Sequence, residues 1–424
     1  MKRRISLSTT VTLVLLTAAL TVSLTMLLAM RHFNNQLQLV SQRQAMYTHI
    51  NDVDKTVRDY YPNIDEELLR QGITQGYIYG LDDPYAAYYT PTRYAAEQLR
   101  MAGKANNVGI TLVLNNENQV VVGRVQPDSA AGKAGVKSGD HIKAVDGETV
   151  VNTSLSELQN LANTATKLLL SVERKGSTHA FELSAFEYTV RSVEYEMVGS
   201  VGYIRISAFY KNTPAQFRTA VSKLLEKGAT GLVFDLRNNA GGSTTAVREM
   251  LDYVMPLGTY GTMTDVKGEV TKLSSADSNQ ISCATATLVN GGTAGEAEFF
   301  AAVLKEAGVS NVVGQITAGK AKYQEYFAIE SDSSAVRLTV GEYGLLKTES
   351  WQDKGIEPTV AVEMPAEQAG VYQLLSPKDD VQVRAAISLV TTSDVEILKK
   401  VTSTTAVTVT TTTTAKTTTT TKKK

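Results

Sequence analysis

The sequence predicts a mixed α/β fold behind a single apolar N-terminal helix, on three observations. The uncharged, largely apolar run from Ile5 to Met30 is long enough to be a helix across a bilayer. Between 107 and 174, short strand-like runs are punctuated by glycine. Beyond 200, β-rich runs alternate with segments of helix length. Such alternation argues for parallel strand pairs in a layered sheet.

Lys2, Arg3 and Arg4 precede the apolar run and Arg31 ends it. About 20 apolar residues span a bilayer as helix, and the run exceeds the ~7–15 residues of a signal-peptide core. Residues 1–31 are therefore expected to be a cytoplasmic stub and a retained single-pass anchor, with 32–424 extracytoplasmic; a cleaved signal is the alternative. The internal threonines, Thr9, Thr10, Thr12, Thr17, Thr21 and Thr25, weaken the run only slightly, since they can bond back to helix carbonyls.

Residues 32–104 read as a helical region. Apolar side chains recur at Leu37, Val40, Met46, Ile50 and Val53, then at Leu68, Leu69, Ile73 and Tyr77. This region is a candidate homodimer contact. The stretch G-L-D-D-P-Y-A-A-Y-Y-T-P (80–91) interrupts it, because Asp82 and Asp83 before Pro84 favour a turn.

Strand-like runs then follow at 107–114 and 119–125, with A-G-K-A-G-V-K-S-G-D-H-I-K-A-V-D-G (131–147) after them. A helical segment near 154–165 and the strand K-L-L-L-S-V-E-R (167–174) complete the series. This order resembles a PDZ module, assigned to 105–186. The resemblance implies that a peptide adds as an extra strand and leaves its terminal carboxylate on a glycine loop, at Gly109 and Ile110. A small β-domain without a binding role is the alternative.

From 187 to 364 strands are expected at 201–209, 231–236, 286–290 and 311–314, with helices at 214–227, 243–254 and 297–307. A helical segment at 365–400 and a Thr/Lys-rich tail at 401–424 follow, the tail with little to bury and expected to be disordered. Active groups in such sheets gather at the carboxyl ends of strands. Three turns lie there: R-N-N-A-G-G-S (237–243), N-G-G-T-A-G-E (290–296) and T-A-G-K-A-K-Y-Q (317–324).

Composition narrows the chemistry. A net charge of −1 gives no electrostatic case for nucleic acid as partner. The lone Cys283 excludes an internal disulfide or a multi-cysteine metal site, and the four histidines are scattered. No cofactor and no metal are expected.

Together L-D-D-P-Y, the glycine-punctuated string at 131–147, D-L-R-N-N-A-G-G, L-V-N-G-G-T-A-G-E-A-E, T-A-G-K-A-K-Y-Q and K-G-I-E-P-T-V resemble the S41 family of carboxy-terminal processing peptidases over roughly 60–390. The resemblance implies a ClpP/crotonase-like α/β core and bacterial, membrane-anchored or exported proteins that cut near substrate C-termini. It also implies a Ser-Lys dyad with a supporting glutamine. Lysine in a partly dry site loses its proton more easily than at its ordinary pKa of ~10.4 and serves as general base. Backbone N–H groups stabilise the oxyanion. Carried over, the base falls on Lys320 and the amide on Gln324. Oxyanion donors fall on Gly241, Gly242 and Glu296, the residue after the nucleophile.

The nucleophile is the exception. The family pattern, close to N-x-G-S-A-S-A-S-E, puts its catalytic serine on Gly295, 25 residues before Lys320. Glu296 replaces a small residue and Ala297 a serine. The expectation is a pseudopeptidase that binds protein C-termini, with Glu296 close enough to hold Lys320 as an ammonium ion. The alternative is an active serine-type endopeptidase, or one using Thr293, the nearest hydroxyl, whose bland role is to cap the helix.

Overall fold

The computed structural model describes residues 7–151, 153–276 and 281–391. The basic cluster at 2–4, the end of the expected 365–400 segment and the 401–424 tail lie outside the described residues. The chain divides into two compact units, 1–76 and 77–424.

The first unit is dominated by the helix Leu7–Tyr60, whose stretch Val11–Asn34 is long and apolar enough to cross a membrane. Its large apolar side chains, Leu13, Leu20 and Leu24 among them, face outward. Thr17, Thr21 and Thr25 donate to the carbonyls of Leu13, Thr17 and Thr21 at 3.0, 3.0 and 2.7 Å. These bonds pair the three threonine hydroxyls within the helix, as an apolar surrounding requires.

In the second unit, the main sheet runs Val193–Val198, Val201–Ile206, Gly231–Asp235, Ala284–Val289, Ser310–Gly314, Val360–Ala361. The first pair is antiparallel and every later pair parallel. Every residue of Gly231–Asp235 is buried, as a parallel strand covered on both faces requires. Helices Thr213–Glu226, Thr244–Val254 and Glu296–Glu306 pack one face through Phe217, Leu224, Met250, Leu251 and Phe300. Helix Val381–Thr391 covers the other through Val383, Ala386 and Leu389.

Two larger sheets and a two-stranded one complete the described part of the unit. One, the strands Ile110–Leu114, Val120–Val125, His141–Val145, Lys167–Arg174 and Ser177–Ser184 with the short Glu148–Thr149, encloses a separate core around Val122, Ile142, Leu170 and Val172. Helices Ala130–Ala134 and Leu155–Thr164 pack against this core through Ala131, Leu158 and Ala162. Strand Lys104–Asn107 pairs with Phe186–Thr189, so the chain enters and leaves this module side by side. The other sheet is antiparallel, ordered Ala87–Tyr89, Ser334–Gly344, Gly258–Asp265, Val270–Ser275, with Lys322–Ile329 also paired to Ser334–Gly344.

Candidate active site

The three turns singled out in the sequence meet at the carboxyl ends of Gly231–Asp235, Ala284–Val289 and Ser310–Gly314, and they are bonded to one another. Asn238 N–H donates to Asn290 Oδ1 and Asn290 Nδ2 returns a bond to Asn238 Oδ1, both at 2.9 Å. Ala294 N–H donates to the Asn239 carbonyl at 2.9 Å, and Ala318 N–H to the Thr293 carbonyl at 3.0 Å.

Beneath the first turn lies a buried ion network. Arg237 binds Asp235 through Nε at 2.9 Å and Nη2 at 2.6 Å, and reaches Asp380 at 2.7 Å and Gln382 at 2.9 Å through Nη1. Tyr203 Oη donates to Asp235 at 2.6 Å. Burial pushes the Asp235 carboxyl up, but the Arg237 guanidinium outweighs it and holds the group below the usual range. The network ties the first turn to helix Val381–Thr391.

Glu298 fastens the other two turns. Its buried carboxylate accepts from Thr317 Oγ1 at 2.5 Å and from the N–H groups of Gly319 at 2.7 Å, Lys320 at 2.8 Å and Gly295 at 3.0 Å. Glu298 stands in the first turn of helix Glu296–Glu306, where a carboxylate meets free N–H groups and the positive end of the helix dipole. The sequence reading missed this role, although a glutamate three residues after Gly295, the capping-box position, is a signal for it.

Gly295 joins strand to helix at φ 60° and ψ −122°, a left-handed backbone that strains a residue with a side chain. A Cβ built there would make only ordinary van der Waals contacts, with the Ala240 carbonyl oxygen at 3.8 Å and Lys320 Cδ and Nζ each at 3.9 Å. Lys320 Nζ lies 4.8 Å from the centre of the Tyr85 ring and makes no hydrogen bond or ion pair among the described residues. Tyr85 comes from the L-D-D-P-Y stretch, and Arg337 Nε bonds its carbonyl at 3.0 Å. Burial lowers the Lys320 pKa; the Glu296 carboxylate opposes this, Arg337 adds to it, and the balance falls below the ordinary lysine value.

Glu296 corrects one expectation. Its side chain does not grip Lys320 but turns to the first loop. Oε2 accepts from Gly242 N–H at 2.8 Å, and Oε1 from Tyr343 Oη at 3.0 Å. Tyr343 is itself bonded to Thr244 Oγ1 at 2.7 Å. Burial, then the neighbouring Glu296, pushes the Tyr343 pKa far up, so the phenol stays a donor. Gly241 has φ 92°, and a Cβ on it would crowd the Glu296 backbone nitrogen at 3.0 Å as well as Glu296 Oε2, so glycine fits there. Gly241 N–H is engaged within its own turn by Asn239 Oδ1 at 2.9 Å.

Gln324 lines the same cleft of about 320 Å³ as Arg100, Gly242, Glu296, Lys320 and Arg337. Its amide bonds the Lys322 carbonyl at 3.2 Å and Thr339 Oγ1 at 3.3 Å, not the lysine amine. Thr293 is fully buried on the sheet side of its turn, donating to the Leu236 carbonyl at 2.9 Å and accepting from Asn290 N–H at 3.0 Å. In the module, Gly109 has φ 83°, and a Cβ on it would strike the Ser129 side chain. Its N–H donates to Asn107 Oδ1 at 2.9 Å, and Ile110 next to it opens the edge strand. Among the described residues no cluster of three or more metal-ligating side chains occurs.

The described geometry thus unites a lysine of lowered pKa, an open position facing it, and a loop N–H directed at the same cleft. Comparison with known proteins gives the family. The model described as Peptidase family S41 matches residues 200–362, and that described as PDZ domain matches 98–173. The chain is 29% identical over 363 residues to carboxy-terminal processing protease CtpA of Bacillus subtilis, covering 83% of this chain and 77% of that protein. It is 30% identical over 321 residues to the chloroplastic C-terminal processing peptidase of Tetradesmus obliquus, covering 70% and 69%. A putative S41 protease from Bacteroides fragilis shares the fold, with a TM-score of 0.56 over 74% of this chain and 87% of that one, at 16% identity. The chain therefore belongs to peptidase family S41, as a PDZ-containing relative of the carboxy-terminal processing proteases.

Proposed function

We propose that this chain is a membrane-anchored pseudopeptidase, which holds protein C-termini through its PDZ domain and does not cut them. Gly295 stands at the nucleophile position, Lys320 at that of the base and Gly242 at that of an oxyanion donor. Such a site works only when a hydroxyl lies between base and donor.

One observation carries the reading. The Glu296 carboxylate already sits on the Gly242 N–H that would receive the oxyanion, 2.8 Å away. A negative charge there opposes the charge that develops in acyl transfer, in a site where water screens it poorly. The missing hydroxyl and the filled donor reinforce one another. Thr293 does not supply the hydroxyl, since its oxygen is buried and spent on Leu236 and Asn290.

The outward apolar face of Val11–Asn34 supports the anchor, with the body extracytoplasmic in a bacterial cell. Exposed Tyr60, Tyr61 and Leu68 make the helical region the favoured surface for self-association. The domain limits 105–186 and 187–364 follow the same reading.

The test is turnover. The detergent-solubilised full chain, incubated with an unfolded protein bearing an apolar C-terminus, should release no fragments and take up no serine-directed phosphonate. Cleavage by the unaltered chain, abolished by Thr293→Ala, would overturn the reading and make Thr293 the nucleophile.

A further inference from the structure

Strand Ile110–Leu114 is the free edge of the PDZ sheet. Its inner side is paired with Val120–Val125, and the Gly109 carbonyl at its start accepts from Gln126 N–H at 2.9 Å. Along a strand, the carbonyl of one residue and the N–H two residues later face the same side. The Ile110 carbonyl and the Leu112 N–H therefore face the open side, where a peptide strand would add.

Both groups are already taken, by one side chain. Gln159 on helix Leu155–Thr164 accepts from Leu112 N–H at Oε1 (2.8 Å) and donates from Nε2 to the Ile110 carbonyl (3.1 Å). A carboxamide carries the same donor and acceptor as a peptide unit, and here it presents them to the edge in register. Its Nε2 also bonds Asn163 Oδ1 at 3.1 Å, one helical turn on. Buried Leu158 and Ala162 hold the helix against the module core, which leaves Gln159 facing the strand.

Resting on the peptide-binding reading above, we infer that Gln159 is a resident competitor in the groove and raises the affinity that any peptide needs in order to enter. An arriving strand must displace its amide and then replaces two hydrogen bonds with two of the same kind. Backbone pairing alone yields little net gain. Affinity has to come from what the amide does not offer, a terminal carboxylate and apolar side chains, so internal segments are disfavoured against true C-termini.

The full chain and its Gln159→Ala variant would be titrated with one apolar peptide, as free acid and as C-terminal amide. Hydrogen–deuterium exchange over residues 108–115 would be followed in both proteins without peptide. The variant should bind both peptides on the order of tenfold more tightly, because the competitor acts on backbone atoms that both peptides use. The 108–115 segment should exchange faster in the variant. Equal affinities for the two proteins would overturn the inference and leave peptide binding standing. Absence of binding by either protein would overturn the peptide-binding reading, and the inference with it.

Discussion

One carboxylate oxygen of Glu298 accepts the backbone N–H of Lys320 at 2.8 Å and also that of Gly295 at 3.0 Å. The distance between these two positions is therefore set by a third side chain, buried and beyond the reach of solvent. Glu298→Gln keeps the shape but loses the charge and turns one acceptor into a donor facing N–H groups. Bonds to a charged group contribute about 1.5–3 kcal/mol each, and an unpaired buried group costs about 1–3 kcal/mol. The variant should lose about 2–4 kcal/mol in denaturant unfolding, and exchange should quicken over residues 315–321. Unchanged stability would show that Glu298 is not the clamp.

Restoring chemistry should need two changes. Gly295→Ser puts a hydroxyl opposite Lys320 without a clash at its Cβ, at a backbone cost of about 1–3 kcal/mol for its positive φ. It leaves Glu296 on the Gly242 N–H. Loss of a single oxyanion donor lowers kcat by about 10²–10³. Gly295→Ser with Glu296→Ala should therefore exceed Gly295→Ser alone by at least about 10²-fold in cleavage of an unfolded substrate. Equal rates for the two would show that Glu296 is no obstacle.

The legible parts of this molecule are those written locally. The strand Lys167–Arg174 alternates buried and exposed side chains, and Gly231–Asp235 is apolar up to its final acid, so each declares itself within eight residues. The antiparallel sheet of Gly258–Asp265, Lys322–Ile329 and Ser334–Gly344 does not. Its residues are largely half-buried, and its partners are up to 250 residues apart, as Ala87 and Arg337 are. In the site, the position of Glu296 beside Gly295 was plain from spacing. Its direction was not, because the choice between Lys320 and Gly242 depends on a loop 54 residues upstream. Gln159 was hidden for the same reason, its partner Leu112 lying 47 residues away in sequence.

Arg237 is the sole arginine bonded to the buried Asp235 among the described residues, and it also holds Asp380. Arg237→Ala strands two acids, and breaking a buried pair costs about 3–5 kcal/mol. The sign of the pH effect follows from the depressed Asp235 pKa. A carboxyl lowered in the folded state stabilises above its unfolded pKa of about 3.9, and that contribution is lost as pH falls through the folded value. The stability gap between wild type and variant should be full at pH 7 and narrow below about pH 4. A gap independent of pH would mean that the pair's charge is not what stabilises.

If Val11–Asn34 is retained as an anchor, the protein from membranes should keep an N-terminus ahead of residue 11. It should also resist extraction by alkaline carbonate. A mature N-terminus between Ala18 and Gln36 would identify a cleaved signal instead.

Lys320 offers a test that needs no turnover. Burial lowers its pKa, with Glu296 pulling the other way. An amine-reactive ester, followed by mass spectrometry across pH, should modify Lys320 with a midpoint below the ~10.4 of ordinary lysines. Glu296→Ala removes the opposing charge, so the midpoint should fall further. Stability must follow by linkage. Between the folded and unfolded pKa values the unfolded chain binds more protons, so stability rises with pH through that window, and below it the penalty for a buried ammonium is constant. Lys320→Met should therefore be more stable than wild type at pH 7, with the gain fading as pH rises toward about 10.4. A Lys320 midpoint equal to that of surface lysines, unmoved by Glu296→Ala, would show that the amine keeps its ordinary pKa and that Glu296 does not act on it.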